Sequence, residues 1–208
     1  MTANTNHLID TIAALDELYG KPSESSIVKE VDFIHPHYRA FIEAAPFAAL
    51  ATSGPGGLDV SPRGDAAGFI HVEDERTLLI PDRRGNNRVD SLRNIIADPR
   101  VALLFLIPGI GETLRINGHA AIAVAPDLLE RFAAKGKVPR SVLIVTVETV
   151  FFQCSRAILR SDLWDPDKRI DRKTLPSMGT ILSDLSNRRM DAQTVDAAWQ
   201  ERAHKQLY

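Results

Sequence analysis

The spacing of apolar residues changes near residue 46 and divides the chain into helical and extended parts. Before that point apolar side chains recur every three or four residues, and Gly20 and Pro22 follow as stop signals, which predicts an amphipathic helix. The apolar positions of this helix are Leu8, Ile12, Leu15 and Leu18. A second, shorter helix is expected over 37–45, because Pro46 cannot continue it.

From residue 47 onward, short apolar stretches alternate with turn residues, a pattern that predicts β-strands. Strands are expected at 47–52, 58–61, 68–71, 77–80, 101–107, 114–124 and 142–152. The glycine-rich segment 54–57 and the polar segment 73–76 are typical of hairpin turns. Consecutive strands joined by such short links are expected to run antiparallel.

Helical patterns interrupt and follow these strands. They are expected at 86–97, at 126–136, and in the polar tail at 178–185 and 195–207. Many short strands with few helices predict a mainly β fold with peripheral helices, in which a closed or split barrel removes the open edges of a single antiparallel sheet.

The length of 208 residues favours one domain. We expect helices in 1–45 to pack on a barrel formed by 46–165, and 166–208 to be a helical extension of the same domain.

Charge and cysteine content exclude several classes of protein. The chain has 25 basic and 27 acidic residues, so its net charge of −2 creates no overall attraction for nucleic acid or an anionic membrane. Cys154 is the only cysteine, which excludes an intrachain disulfide and fits a reducing, cytoplasmic compartment. The longest apolar run, 101–107, is too short to span a bilayer, so no membrane segment is expected. The histidines do not recur at metal-ligand spacing, and we predict no metal site.

Two arginine-containing segments are candidates for anion binding. The first, Ser61-Pro62-Arg63-Gly64-Asp65, follows a strand, and the second, 81–88, leads into the helix predicted at 86–97. Together they contain Arg63, Arg83, Arg84 and Arg88. With Asn86 or Asn87 as N-cap, this helix start would offer backbone N–H groups and guanidinium donors to a phosphate. The alternative is that the arginines are solvated or pair with nearby aspartates, as surface arginines usually do.

Three stretches of the sequence resemble a known family. They are LDVSPRGDAAGF, RTLLIPDRRGNNRVDSLRNIIADPRVALLFLIPG and ETLRINGHAAI. Their order resembles the pyridoxamine 5′-phosphate oxidase-like family of FMN-binding split barrels, and within it the branch of FMN-dependent proteins of unassigned substrate. The similarity extends over about 41–164. It implies an antiparallel split β-barrel, FMN as cofactor, and a homodimer with the cofactor cleft at the interface.

The resemblance also implies roles for particular residues. Arg88 and Arg63 match phosphate-binding positions, and Asn87 would add a hydrogen bond to the phosphate or the ribityl chain. The strand 78–82, which ends in Pro81 and Asp82, would offer backbone donors and acceptors to the polar edge of the flavin. Ser61 and Arg83 belong to the same two segments and are predicted to contribute. Thr113 replaces a glutamine that reaches the flavin ring in the family, which weakens the prediction on that side.

Two other residues have a structural alternative to a place in the cleft. Arg115, in the Arg-x-x-Gly element, either contacts the cofactor or pairs with Glu112 or Asp65 at a barrel rim. Trp164 either closes the cleft as a late aromatic residue or anchors the tail through its apolar area. No side chain is assigned a catalytic role, because a flavin would carry the chemistry.

The resulting functional hypothesis is an FMN-dependent oxidoreductase acting on a small substrate. The alternatives are a non-enzymatic module that binds flavin, deazaflavin or haem on the same fold, and an interaction scaffold with an empty cleft. Oxidation of pyridoxamine 5′-phosphate itself is not expected, since the sequence ends ERAHKQLY and lacks the family's Arg-Leu-x-x-Arg-type tail for the substrate phosphate.

Overall fold

The computed structural model describes residues 7–205 and, of these, the side chains of 7–199. Its centre is one seven-stranded antiparallel sheet in the order β2-β1-β5-β6-β7-β4-β3. The strands are β1 (Phe47–Gly54), β2 (Gly57–Gly64), β3 (His71–Asp74), β4 (Thr77–Pro81), β5 (Arg100–Leu106), β6 (Thr113–Ala123) and β7 (Val142–Gln153). The prediction of a mainly β fold with peripheral helices, an antiparallel split barrel, is confirmed. The two predicted hairpins, β1–β2 and β3–β4, are also present.

Along the strands, every second side chain faces the core on the inner side of the curved sheet. In β1, Ala48, Leu50 and Thr52 are buried, and the residues between them are only partly buried. Matching positions on the neighbouring strands, such as Leu103 and Ile116, are fully buried in the same core. The period of two that predicted these strands is therefore the period of core contact.

The longest strand pair, β6 with β7, contains a bulge that explains one motif glycine. The pairing shifts register between Asn117 and Gly118. A Cβ at Gly118 would overlap the carbonyl oxygen of Thr146 on β7, so this close backbone approach requires glycine. The glycine of the Arg-x-x-Gly element thus has a structural role.

Helices surround the sheet. Those in the described part of the chain are α1 (Ile12–Tyr19), α2 (Glu24–Val28), α3 (Pro36–Ala44), α4 (Asp90–Ala97), α5 (Pro126–Arg131), α6 (Arg156–Arg160), α7 (Met178–Leu185) and α8 (Ala192–Lys205). Helix α4 packs on the sheet through Ile95 and Ser91, both buried. Helices α7 and α8 pack on each other, where the N–H of Gly179 donates to Asp196 Oδ1 at 2.7 Å. Within residues 7–205, no helix is both long and apolar enough to cross a membrane.

Several predicted boundaries were wrong. Of the strand expected at 68–71, only His71 belongs to β3. Residues 68–70 form a loop before it, in which Gly68 has a positive φ of 82° and Phe69 and Ile70 are buried. The apolar pattern alone could not separate a buried loop from a strand. Helix α5 ends at Arg131, well before Gly136. Helix α2 was not predicted, and the last residues of the helix expected over 195–207 lie outside the described residues.

Helix α4 begins later than predicted. The sequence suggested a start at Asn86 with an asparagine cap, but the helix starts at Asp90, after Val89 in the left-handed region, and has no side-chain cap. Asn87 also has a positive φ, of 62°. The residues between Pro81 and α4 therefore form a loop, and this loop borders the candidate site.

Candidate phosphate-binding site

The two arginine-containing segments meet at one cavity. It has a volume of about 590 Å³, within the usual range for small-molecule sites. Its walls are the end of β2, the end of β4, the loop and first turn of α4, and residues 140–141. The lining includes five arginines and three aspartates, so positive charge is in excess. Sequence-distant segments thus combine into one site of positive character, although the chain as a whole is slightly acidic.

Strand β2 presents polar side chains to this cavity and apolar ones away from it. Asp59, Ser61 and Arg63 occupy alternate positions and line the cavity. Leu58 and Val60, the residues between them, are 89% and 66% exposed. Because successive side chains of a strand point to opposite faces, the alternation of β2 separates a polar cavity wall from an exposed apolar surface.

Arg63 carries a guanidinium group that is largely unpaired. Its one hydrogen bond within residues 7–199 runs from Nη1 to the carbonyl of Pro62, at 2.9 Å. Burial lowers the pKa of Arg63, and the charges of Asp82 and Asp59 offset part of that effect. A guanidinium has five N–H donors, so several remain available toward the cavity. A partly desolvated cation with unused donors is suited to a hydrogen-bonded anion.

Asp82 lies across the cavity at the end of β4. Burial raises the pKa of its carboxyl group, and the charges of Arg63 and Arg140 act in the opposite direction. Its backbone N–H donates to the carbonyl of Ser141 at 2.9 Å. Strand β4 lies between β7 and β3, so only its end at Pro81 and Asp82 faces the cavity. Sequence analysis expected the strand 78–82 to contact the flavin. Of these residues, only Pro81 and Asp82 line the cavity.

A hydroxyl–carboxylate cluster forms part of the cavity wall. The Oδ2 atom of Asp59 accepts hydrogen bonds from Ser61 Oγ at 3.2 Å and from Ser91 Oγ at 3.1 Å. Ser91 is buried in the first turn of α4. One turn further, Asn94 donates to Thr52 Oγ1 of β1 at 3.1 Å. These contacts fix α4, and with it the preceding loop, against β1 and β2.

The loop before α4 holds the other predicted phosphate ligands. Arg88 is 75% exposed, and its Nε donates to Asp90 Oδ2 at 2.7 Å. Its backbone N–H donates to Asn86 Oδ1 at 3.1 Å, and the side-chain oxygen of Asn87 accepts from Arg140 Nη1 at 2.9 Å. Exposed ion pairs contribute little stability, so Arg88 can exchange Asp90 for another anion at low cost.

Arg83 differs from Arg88 because its ion pair is largely buried. Its Nε donates to Asp65 Oδ2 at 2.8 Å, where the two side chains are 21% and 8% exposed. Its Nη1 donates to the carbonyl of Phe132 at 2.6 Å. This is the aspartate pairing that sequence analysis kept open for the arginines, and it joins the β2 end to the segment after α5.

Seven of the ten predicted cofactor-binding residues line the cavity: Ser61, Arg63, Pro81, Asp82, Arg83, Asn87 and Arg88. Thr113, Arg115 and Trp164 do not line it in the single chain. Thr113 is buried at the start of β6. The Nε1 of Trp164 donates to the carbonyl of Ile110 at 2.7 Å, which ties the segment after β7 to the β5–β6 loop.

Arg115 lies on the outer face of the sheet. The register places it in one cross-strand row with Leu104, Ala49 and Pro62. Its guanidinium carbon is 4.6 Å from the ring centroid of Phe151, and its Nε is buried with no hydrogen-bond partner. The pairing with Glu112 or Asp65 that sequence analysis considered is not formed. Arg115 therefore shares a face with the exposed apolar side of β2.

Sequence reasoning missed some cavity residues. Asp59 could have been found, because it alternates with Ser61 and Arg63 on a predicted strand. Ser91 was hidden by the wrong start of α4, which placed it in the middle of a helix. No local sequence pattern linked Arg140 to the cavity, since it is more than fifty residues from its partner Asn87 in the chain.

A split barrel with an arginine-rich cavity between β2, β4 and α4 defines the class of protein, and sequence comparison identifies the family. Residues 34–154, more than half of the chain, match the family model described as pyridoxamine 5′-phosphate oxidase. The chain therefore belongs to the pyridoxamine 5′-phosphate oxidase family, as its sequence motifs predicted.

Solved structures of other proteins are similar at low sequence identity. HupZ of Group A Streptococcus is 20% identical, with 59% of this chain and 95% of that chain covered and a TM-score of 0.48. A protein related to general stress protein 26 from Clostridium acetobutylicum is 13% identical, with 57% and 86% covered and a TM-score of 0.45. General stress protein 26 of Bacillus anthracis is 17% identical, with 55% and 88% covered and a TM-score of 0.42. A search of curated proteins found no match.

Proposed function

We propose that the protein binds FMN in this cavity through the flavin's phosphate, acts as an FMN-dependent oxidoreductase on a small substrate, and works as a homodimer. The observation that carries the proposal is Arg63: its guanidinium is partly buried, makes one hydrogen bond, and faces a cavity with excess positive charge. A phosphate dianion supplies both the charge and the acceptors that this site lacks.

The remaining phosphate contacts would come from the loop before α4. Arg88 would exchange its exposed pairing with Asp90 for the phosphate, and the amide of Asn87 would add a neutral donor. Two guanidinium groups and an amide on one phosphate are typical of charge-assisted, fork-like recognition. The Asp59–Ser91 contact keeps this loop next to Arg63.

The lining of the cavity favours FMN over haem. Haem iron in proteins takes His, Cys, Met or Tyr as an axial ligand. None of these residue types is among the described residues that line the cavity. The apolar side chains of Phe69 and Leu92 line it instead and offer contact area to a flavin ring.

When bound, FMN would supply the electron-transfer chemistry itself. The chain's own residues would bind and orient it. Arg63 and Arg88 would bind the phosphate, and the end of β4 beside Asp82 would contact the polar edge of the flavin ring. Asp82 keeps a carboxyl group in the cavity whose raised pKa favours the protonated form more than in solvent.

The homodimer is supported by the outer face of the sheet. Leu58 and Val60 are exposed on edge strand β2, and the row that contains Arg115 lies on the same face. Contiguous exposed apolar surface is a mark of an interaction site, and an uncovered edge strand favours association. A second copy on this face would cover Leu58 and Val60, and Thr113, Arg115 and Trp164, which do not line the cavity of their own chain, would act at this interface toward the partner.

The proposal is tested on purified full-length protein. Its absorption spectrum is recorded before and after incubation with FMN and removal of the excess. We expect a retained flavin spectrum, which bleaches when NADH or NADPH is added without oxygen and recovers in air. Protein that retains no flavin contradicts the cofactor assignment, and retained flavin that cannot be reduced and reoxidised contradicts the assignment as an oxidoreductase.

A further inference from the structure

A second, smaller cavity lies beside the proposed FMN site. It has a volume of about 260 Å³ and is lined by Arg83, Arg84, Lys137, Val138, Pro139 and Arg140. Arg83, Arg84 and Arg140 also line the larger cavity, so the two cavities are direct neighbours. A ligand group in the smaller cavity would therefore lie next to a ligand in the larger one.

The charged side chains that line this cavity are all basic. Residues 83–89 contain three arginines and no carboxylate, and residues 133–141 contain Lys135, Lys137 and Arg140 and no carboxylate. The chain as a whole has more acidic than basic residues. These two segments, which are far apart in sequence, thus bring an unusual local concentration of positive charge to one place.

The protein neutralises only part of that charge. Arg83 is committed to Asp65 and to the carbonyl of Phe132. Arg140 donates to the uncharged amide of Asn87, and its charge also interacts with the carboxylate of Asp82. Arg84 makes no hydrogen bond or ion pair with any residue of the part of the chain that the structure describes.

We propose that this smaller cavity binds an anionic group, phosphate or carboxylate, of the substrate that reacts with the flavin. The inference rests on the proposed function of the larger cavity. Arg84, Lys137 and Arg140 provide the charge, while the lining contains no carboxylate to repel an anion. Val138 and Pro139 add apolar contact area beside these charges, and a site with only cationic side chains excludes cationic substrates.

The test uses the FMN-loaded protein, in which the phosphate site of Arg63 and Arg88 is filled. Inorganic phosphate and citrate serve as the two anionic probes, and binding is measured by calorimetry. The Arg84→Ala/Lys137→Ala variant is compared with Arg93→Ala/Lys168→Ala, which removes the same two charges from exposed positions that line neither cavity. FMN affinity is measured separately for every variant.

We expect saturable binding of at least one probe to the loaded wild-type protein. Its dissociation constant should rise about tenfold or more in Arg84→Ala/Lys137→Ala, since charge-assisted contacts are lost, and should stay unchanged in the control. Preference for phosphate indicates a phosphorylated substrate, and preference for citrate a carboxylate substrate. No saturable binding of either probe, or equal binding by both variants, overturns the proposal.

The anion site can be tested separately if the FMN assignment fails. If wild-type protein does not bind FMN, the same titrations are made on cofactor-free Arg88→Ala protein with and without Arg84→Ala/Lys137→Ala. Binding that the added pair of substitutions weakens still supports the anion site, and binding that they leave unchanged overturns it.

Discussion

Ser91 donates its hydroxyl hydrogen to Asp59 Oδ2 at 3.1 Å, and this contact joins helix α4 to strand β2 in the wall of the cavity. Arg63 lies on the same face of β2 as Asp59, and the proposed phosphate loop ends at the start of α4. The relative position of the two proposed phosphate ligands, Arg63 and Arg88, therefore depends on this hydrogen bond.

Replacement of Ser91 by Ala should loosen the helix without removing any ligand. Loss of one hydrogen bond to a carboxylate should lower the free energy of unfolding by about 1.5–3 kcal/mol. We expect weaker FMN binding as well, because the loop is positioned less firmly. Urea unfolding and an FMN titration measure the two effects. Unchanged FMN affinity despite lower stability would show that the contact does not position the loop.

Arg63 should contribute more to FMN affinity than any other single residue of β2. Arg63→Ala should weaken binding by about 1.5–3 kcal/mol, roughly ten- to a hundredfold, and Arg63→Lys should restore part of this because it keeps the charge but loses the planar fork. Arg93→Ala is the matched control, since Arg93 is exposed on α4 and does not line the cavity. Equal effects of Arg63→Ala and Arg93→Ala would remove Arg63 from the site.

The raised pKa of Asp82 predicts a pH-dependent gain in stability for Asp82→Asn. Below the unfolded value of 3.8 the carboxyl is neutral in both states and costs nothing. As pH rises from there through the folded pKa, the unfolded state loses its proton first, so the wild-type protein loses stability. The free energy of unfolding of Asp82→Asn, relative to that of the wild type, should therefore be higher at pH 7 than at pH 3.5.

Asp98 provides a control of opposite sign. Its hydrogen bonds from Arg100 lower the pKa of its carboxyl, so it stabilises the fold above 3.8, and this contribution is lost as pH falls through the folded pKa. Asp98→Asn should therefore have a lower free energy of unfolding than the wild type at pH 7, and the difference should be smaller at pH 3.5. Unfolding free energies at the two pH values decide the matter, and a pH-independent difference for Asp82→Asn would contradict the assigned burial effect.

The outer face of β2 should be the centre of the dimer. Leu58→Asp/Val60→Asp places two charges on the exposed apolar side of this edge strand and should convert a dimer into a monomer by analytical ultracentrifugation. FMN binding should weaken with it if the partner completes the cleft. Leu159→Asp, on α6 and 66% exposed, should leave the dimer intact. A wild-type monomer, or a double variant that stays dimeric, would show that this face is not the interface.

Local patterns in the sequence predicted strands better than helix ends. The alternation in β1 and β7 reflects burial on one face, and the unbroken apolar run of β4 reflects burial on both faces, both of which a local pattern records. The start of α4 was missed because Asn87 and Val89 take positive φ values, which no apolar period indicates. The segment around Phe69 and Ile70 was taken for a strand because a buried loop carries the same apolar residues.

The residues of the candidate site were also predictable only where a local pattern marked them. Arg63, Asp82, Asn87 and Arg88 could be named from two short segments and a family resemblance. Arg140 and Ser91 reach the cavity only through the packing of β7 and α4 on the rest of the sheet, and that is a long-range outcome of folding. The outward position of Arg115 required the strand register, which the sequence alone did not define.

The comparison of FMN with riboflavin tests the central claim most directly, because the two ligands differ only in the phosphate. Titrations of the flavin-free protein should show FMN binding at least about a hundredfold more tightly, as expected for charge-assisted contacts from two arginines. Equal affinities for FMN and riboflavin, or binding of neither, would contradict a site that holds the flavin by its phosphate.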